Sequence, residues 1–133
     1  MKFRFLSRYR DEGLLLMRIG IGVMFLLHGG PKLLAGPDKW QQVGTALTYL
    51  GIDFFPAIWG LMAALSEFCG GLCLIFGWFF RPACLLMATT MLVATTMHLG
   101  RGDGLMRASH ALESGILFVS LMLIGPGRFS FDM

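Results

Sequence analysis

The sequence predicts an all-α protein, a bundle of four transmembrane helices. Of the 133 residues, 56% are hydrophobic and only 14% are charged, and the mean hydropathy is +0.69. The apolar residues also fall into four runs separated by turn-forming residues. A soluble domain of this length exposes too much surface to hide such a composition. The composition therefore excludes a disordered chain, a disulfide scaffold and a soluble enzyme, and we expect one membrane domain over residues 1–133.

The four predicted spans cover about residues 14–34, 56–79, 82–99 and 108–125. Each is close to the roughly 20 residues with which a helix crosses a bilayer. A basic start precedes the first run, and no small-residue cleavage site ends it, so we expect a retained span rather than a signal peptide. Glycine and proline separate the later runs, for example at Gly125-Pro126-Gly127.

The connection between the first two spans, about residues 35–55, is the long one. Its apolar residues recur at helical spacing: Trp40, Val43, Ala46, Leu47, Leu50 and Phe54. Such a pattern is typical of an amphipathic helix that lies at the membrane surface. We therefore expect a short interfacial helix across one end of the bundle.

The distribution of basic residues predicts the orientation, because cytoplasmic loops carry the excess of lysine and arginine. With the N-terminus inside, six basic residues lie on the cytoplasmic side: Lys2, Arg4, Arg8, Arg10, Arg81 and Arg128. Four lie outside: Lys32, Lys39, Arg101 and Arg107. We expect both termini in the cytoplasm and a multi-pass protein of a bacterial inner membrane. The small positive net charge of the chain is thus explained by basic residues that set the membrane orientation, so we expect no nucleic-acid partner.

Three charged side chains lie well inside the predicted spans, namely Arg18, Glu67 and Glu113, whereas Lys32 lies at the end of the first span. A lone charge at the bilayer centre costs about 3 kcal/mol or more, so each needs a partner. Arginine is long enough to bridge two carboxylates, and we expect these residues to form one buried cluster. It would either bind or transfer a ligand or a proton, or act only as a polar lock that fixes the helix order.

Three histidines form a second group, because His28 ends the first span, His98 ends the third and His110 begins the fourth. We expect all of them at the outer rim of the bundle. Imidazoles there could hold a quinone head group by hydrogen bonds, or they could simply be polar tips at the interface. Since their spacing does not resemble a metal-ligand motif, we expect no metal site.

Small residues predict where the helices approach closely. Gly60, Ala64 and Gly71 share one face of the second span with Glu67, and Gly20 and Gly22 lie beside Arg18. The glutamate should therefore face protein. The cysteines at positions 69, 73 and 84 lie inside apolar runs and lack the spacing of a thiol oxidoreductase, so we interpret them as packing residues.

Several short motifs follow one another along the chain: Leu16-Met17-Arg18-Ile19-Gly20, Phe25-Leu26-Leu27-His28-Gly29, Glu67-Phe68-Cys69-Gly70-Gly71, Arg81-Pro82, and the terminal Gly-Pro-Gly followed by Arg, Phe, Ser, Phe and Asp. In their order and spacing the chain resembles the DoxX family of small bacterial inner-membrane proteins. It implies a four-helix integral membrane protein. The family is named for a similarity to a subunit of an archaeal thiosulfate–quinone oxidoreductase, and some relatives look like membrane partners of redox enzymes. It implies no agreed catalytic motif.

These observations leave two main hypotheses. The first is a membrane subunit of a redox system, with quinone as its ligand and with a soluble or membrane partner that supplies electrons. The sequence has no flavin, haem or iron–sulfur motif, so we assign no catalytic residue. The second is a scaffold that anchors other proteins or copies of itself, a homo-oligomer included, with the buried charges fixing the fold. A small-molecule carrier is a third hypothesis, although no inverted repeat is evident.

Overall fold

The computed structural model describes residues 3–132 and is built from helices. The α-helices are α1 (Arg10–Ala35), α2 (Pro37–Gly44), α3 (Pro56–Phe76), α4 (Phe80–Gly100) and α5 (Leu105–Ile124), with 3₁₀ helices at Arg4–Tyr9 and Thr45–Leu50. Four of the helices, α1, α3, α4 and α5, are long and apolar enough to cross a membrane. The prediction of an all-α fold with four candidate membrane-spanning helices is thus confirmed.

Because the long helices alternate in direction, the bundle has two distinct ends. At one, the start of α1 lies beside the ends of α3 and α5 and the segment that follows α5; we call it the tail end. At the other, α2 and the second 3₁₀ helix lie over α3 and α4; we call it the cap end. Which end faces the cytoplasm, and whether α2 lies at the membrane surface, remain predictions. Lys2, one of the basic residues counted for the orientation, lies outside the described residues.

The helix boundaries differ from the sequence prediction by a few residues. Helix α3 ends at Phe76 rather than near position 79, because Gly77 adopts a left-handed conformation with φ of 66°. Such a glycine is a common C-terminal stop of a helix. Helix α5 begins at Leu105, three residues before the expected start, directly after Gly104. Polar and glycine residues therefore mark the ends more closely than hydropathy does.

The long helices pack as two intimate pairs, α1 with α3 and α4 with α5, which α3 and α4 join. Helices α1 and α5 meet through side chains, with the rings of Phe25 and Phe118 5.0 Å apart. The core between the pairs is apolar and consists of Leu14, Phe25, Leu74, Phe80, Cys84, Met87, Met91, Ala111, Phe118 and Leu121. Aromatic and methionine side chains therefore fill the space that the separated backbones of α1 and α5 leave.

Glycines allow the closest contact, where α1 crosses α3. A Cβ atom added at Gly22 would lie 2.7 Å from the carbonyl oxygen of Gly71, and one added at Gly71 would lie 2.7 Å from that of Gly22. Gly20, which was expected to pack in the same way, instead faces outward with no atom within 4 Å of an added Cβ. Two residues along a helix turn the side chain by about 200°, so only one of the pair can face α3.

The expected small-residue stripe on α3 is shared between two neighbours. Gly60 lies against the backbone of Trp40 in α2, whereas Ala64 and Gly71 lie against α1. Ala64 is fully buried, and its carbonyl oxygen approaches Gly29 of α1. The small residues of α3 therefore pack against α2 at the cap end as well as against the spanning helix α1.

The two glycines of α1 provide a matched test of this packing. We expect Gly22→Ala to lower the free energy of unfolding by about 1–3 kcal/mol, because the added methyl group meets a backbone oxygen that cannot move aside. Gly20→Ala should leave it unchanged or raise it slightly, since alanine favours a helix more than glycine does. Unfolding in mixed detergent micelles would measure both variants, and equal stability of the two would contradict the assigned contact.

Candidate ligand cavity and the Arg18 anchor

Arg18 is buried at the tail end and binds backbone carbonyl groups. Its guanidinium donates to the carbonyl oxygens of Leu74 and Ile75, both at 2.9 Å, and to those of Pro126 and Phe129 at 3.1 and 2.6 Å. Only 1% of the residue is exposed. The last carbonyl groups of a helix lack intrahelical partners and carry the negative end of its dipole. The end of α3 is therefore a natural acceptor for a buried cation.

The C-terminal segment, residues 125–132, completes this arrangement, which we call the Arg18 anchor. The Asp132 carboxylate accepts hydrogen bonds from the backbone N–H groups of Phe79 and Phe80, at 2.9 and 2.7 Å. Phe79 has a positive φ of 49°, which is unfavourable for a side chain of its size. The N–H of Asp132 in turn donates to the carbonyl oxygen of Gly77 at 3.0 Å. Asp132 thus caps α4 and holds the tight turn between α3 and α4.

The structure does not bring Arg18, Glu67 and Glu113 together, so the expected charge cluster is absent from residues 3–132. Arg18 lies beside the end of α3, and its donors are used by carbonyl groups. Glu67 lies more than two turns along α3 toward the cap end, where it is paired with another residue. Glu113 is exposed on α5. The position of each residue along its own helix predicted how deep the side chain lies. It did not predict which neighbouring helix that side chain faces.

Glu67 forms a largely buried ion pair with Lys32. The Nζ atom of Lys32 lies 3.1 and 3.2 Å from the two carboxylate oxygens of Glu67, whose side chain is 6% exposed. The lysine side chain is 32% exposed, so the pair connects the interior with the surface near the cap end. The carbonyl oxygen of Lys32 also accepts a hydrogen bond from the indole of Trp40 at 3.0 Å. Lys32 thus links α1 to both α3 and α2.

This ion pair forms part of the wall of a cavity of about 530 Å³ that lies at the cap end, between α3, α4, α2 and the second 3₁₀ helix. Its size lies within the range of small-molecule sites in proteins, roughly 300–1,000 Å³. The polar side chains of its wall are Lys32, Lys39, Gln42, Ser66, Glu67, Thr89, Thr90, His98 and Arg101. The remainder is mainly apolar, with Val43, Leu47, Met62, Leu86, Val93 and Met97 among the lining residues. The cavity therefore suits an amphipathic molecule.

Hydrogen-bonding groups are grouped at two levels of the cavity. Deep in the wall, beside Glu67, the hydroxyl oxygens of Ser66 and Thr90 lie 3.1 Å apart. At the cap end, Nδ1 of His98 lies 3.0 Å from a carboxylate oxygen of Asp103. Trp59 also lines the cavity, and its indole N–H is buried without a hydrogen-bond partner in the described part of the chain. A buried donor without a partner is costly.

The three histidines do not form one site. His28 and His110 are neighbours across α1 and α5, with ring centroids 6.4 Å apart, and both are exposed. His98 lies on α4, lines the cavity and pairs with Asp103. Within residues 3–132, no group of three or more histidine, cysteine or acidic side chains is placed to hold a metal ion. His98 alone of the three therefore belongs to the cavity.

The cysteines are free, and they occupy different environments. Cys84 is fully buried in the core, Cys73 is half-buried and Cys69 is exposed. The fully buried thiol of Cys84 packs with Met87 and Phe80 in the core cluster. Its environment is that of a small apolar packing residue.

Sequence reasoning missed three residues that complete these sites. Lys32 was counted only toward the orientation, as a cation at the end of the first span, although a lysine in the last turn of a helix has a side chain long enough to reach inward. Asp132 and Asp103 lie in turns, where an acidic residue often caps or orients neighbouring groups. The signal for Asp132 was its place behind a Gly-Pro-Gly turn, which can reverse the chain toward the bundle.

Comparison with known proteins gives the family. The DoxX family model matches residues 13–99, which is more than half of the chain. The chain belongs to the DoxX family. This DoxX-family membrane protein is also 29% identical to the inner membrane protein YqjF of Escherichia coli (strain K12), over 133 residues that cover 96% of this chain and 95% of the relative. No solved structure matches it.

The region that matches the DoxX family model contains much of the cavity wall but only part of the Arg18 anchor. Arg18, Lys32, Glu67 and His98 lie within residues 13–99. Asp103, Glu113 and the C-terminal segment lie beyond them. In this DoxX-family protein, the matched region therefore supplies the cation of the anchor, while the segment after α5 supplies half of its acceptors.

Removing the Arg18 cation should destabilise the DoxX-family fold. We expect Arg18→Met to lower the free energy of unfolding by about 3 kcal/mol or more, because hydrogen bonds from a charged donor contribute about 1.5–3 kcal/mol each. The C-terminal segment should also become sensitive to protease. Arg10→Met is the matched control, since Arg10 is an exposed arginine at the start of α1, outside the anchor. Equal stability of both variants in detergent would contradict the anchor.

The Asp103 contact predicts a pH dependence. A hydrogen bond with His98, together with the positive charges of Arg101 and Arg107, lowers the pKa of Asp103 below its ordinary value of 3.8. A lowered folded-state pKa means that the contact stabilises the fold above pH 3.8 and is lost as the pH falls through the lowered value. Wild type should therefore be more stable than Asp103→Asn at pH 6, and the difference should shrink below pH 3.8. A difference that grows on acidification would contradict this.

Proposed function

We propose that this protein is a multi-pass inner-membrane protein that binds a lipid-soluble quinone in the cap-end cavity, as the membrane subunit of a redox system. The observation that carries the proposal is the buried Lys32–Glu67 pair in the wall of an otherwise largely apolar cavity. A quinone has the matching chemistry, since it joins a head with two hydrogen-bond acceptors to an apolar tail. The membrane location is supported by the four apolar helices and by the name of the YqjF relative.

The cavity wall can orient such a head group. Lys32 and the hydroxyl group of Ser66 are donors beside Glu67, because Ser66 only accepts from Thr90, which donates its own hydroxyl hydrogen to Ser66 or to the carbonyl oxygen of Leu86. Leu86 and Thr89 of α4 line the cavity and are exposed on the outer surface of the bundle. The tail of the ligand could therefore extend toward lipid at this side while its head lies against the ion pair.

A bound quinone would supply two-electron, two-proton chemistry, with the electrons coming from a redox centre in a partner protein. The role of this chain is then to bind the head group and to manage protons. Reduction of the quinone would take up two protons, and the Glu67 carboxylate could receive each from the cap end, beside the partly exposed Lys32, and pass it to the head group. With the termini in the cytoplasm, the cap end would face the opposite side of the membrane, so protons would exchange there.

Tryptophan fluorescence offers a direct test with decylubiquinone as the probe. We expect saturable quenching in lipid nanodiscs, because Trp59 lines the cavity, and we expect Trp59→Phe to remove most of the saturable component. Glu67→Gln and Lys32→Met should each weaken binding by about tenfold, which corresponds to the loss of one good hydrogen bond.

Two controls make the binding result specific. Ala63→Phe should abolish saturable quenching, because Ala63 lies in the cavity wall and a ring would fill the space. Leu16→Phe should leave it unchanged, since Leu16 is 75% exposed on α1. Saturable binding that survives Ala63→Phe would place the quinone elsewhere. Stable, folded protein with no saturable binding would contradict the proposal and favour the scaffold hypothesis.

A further inference from the structure

Three ionisable side chains lie exposed on the outer surface of the spanning helices, away from the cavity. They are His28 on α1 and His110 and Glu113 on α5, which we call the His–Glu patch. Glu113 lies eight residues after the first residue of α5, or about 12 Å along the helix. An acidic side chain about two turns inside a membrane-spanning helix is costly when it faces hydrocarbon. The patch therefore needs a partner that supplies polar groups.

The chain itself leaves the patch without partners. Within residues 3–132, the ion pairs and the hydrogen bonds of acidic and histidine side chains involve other residues, such as Lys32 with Glu67 and His98 with Asp103. His28 and His110 make only a ring contact, at a centroid distance of 6.4 Å. Acyl chains have neither donors nor acceptors, so lipid tails cannot satisfy these groups either.

The geometry brings the acid and the imidazoles to one depth. Glu113 follows His110 by three residues on the same side of α5, about 4.5 Å along the axis. His28 lies seven residues before the end of α1, and Glu113 lies eight residues after the start of α5. Both of these helix ends are at the cap end, so the acid and the imidazole lie at similar distances from it.

We propose that this patch is the contact surface between two copies of the chain. A patch that holds both an acid and two imidazoles is complementary to itself, as a twofold interface requires. With both copies inserted in the same direction, an axis along the membrane normal sets the two patches at equal depth. Each Glu113 carboxyl group then meets an imidazole of the other copy, and the exposed apolar residues Met24 and Leu27 cover the contact.

The first experiment measures association in the bilayer. Single-molecule photobleaching of labelled protein in phosphatidylethanolamine–phosphatidylglycerol vesicles, over a range of protein-to-lipid ratios, should show wild-type dimers. Glu113→Leu should weaken association by at least about tenfold, because leucine removes the need for a polar partner. Glu12→Leu is the matched control: Glu12 is an exposed acid at the start of α1, outside the patch, and its removal should leave the dimer intact.

A second experiment locates the interface. In a variant whose three native cysteines are replaced by alanine, Met24→Cys should form a disulfide-linked dimer on oxidation, since Met24 lies one turn from His28. Leu92→Cys, on the exposed side of α4, should not. A wild-type monomer at every protein density, a dimer that Glu113→Leu leaves unchanged, or linkage through Leu92→Cys alone would each overturn the proposal. An unchanged unfolding midpoint shows that Glu113→Leu remains folded.

Discussion

The buried guanidinium of Arg18 is the interaction on which the tail end of the bundle depends. It is satisfied by four carbonyl oxygens, two from the end of α3 and two from the C-terminal segment. The guanidinium is bound by carbonyl groups at the end of a helix dipole, with the negative charge of Asp132 nearby, so it does not need Glu67 or Glu113 as a partner. The same contacts position Asp132, which caps α4. One arginine thus organises the ends of three helices.

These contacts give the two ends of the molecule different characters. Because Arg18 does not use Glu67, that carboxylate is free to pair with Lys32 at the wall of the cavity. The tail end is held by hydrogen bonds to backbone carbonyl groups, whereas the cap end combines an ion pair, hydroxyl groups and a histidine around open space. The anchor and the polar cavity therefore lie at opposite ends of the same four helices.

The fold could be predicted from the sequence more fully than the site. Runs of apolar residues identify spanning helices directly, because length and hydropathy are properties of the chain itself. The acceptors of Arg18 are backbone carbonyl groups, which every residue possesses, so no side-chain pattern marks them. The Glu67–Lys32 pair depends on the rotation of α1 against α3, which the contact of Gly22 with Gly71 fixes. The depth of each charged side chain could be predicted from its position along the helix, but the rotation of one helix relative to another could not.

The composition of the Arg18 anchor has a consequence for biosynthesis. The carbonyl groups of Pro126 and Phe129 follow Arg18 by 108 and 111 residues, so they leave the ribosome long after α1 has been made. All four spanning helices are therefore synthesised before Arg18 can obtain half of its acceptors. The segment that follows α5 completes the coordination of a residue in the first spanning helix, so the tail end can reach its final structure only after α5 has been made.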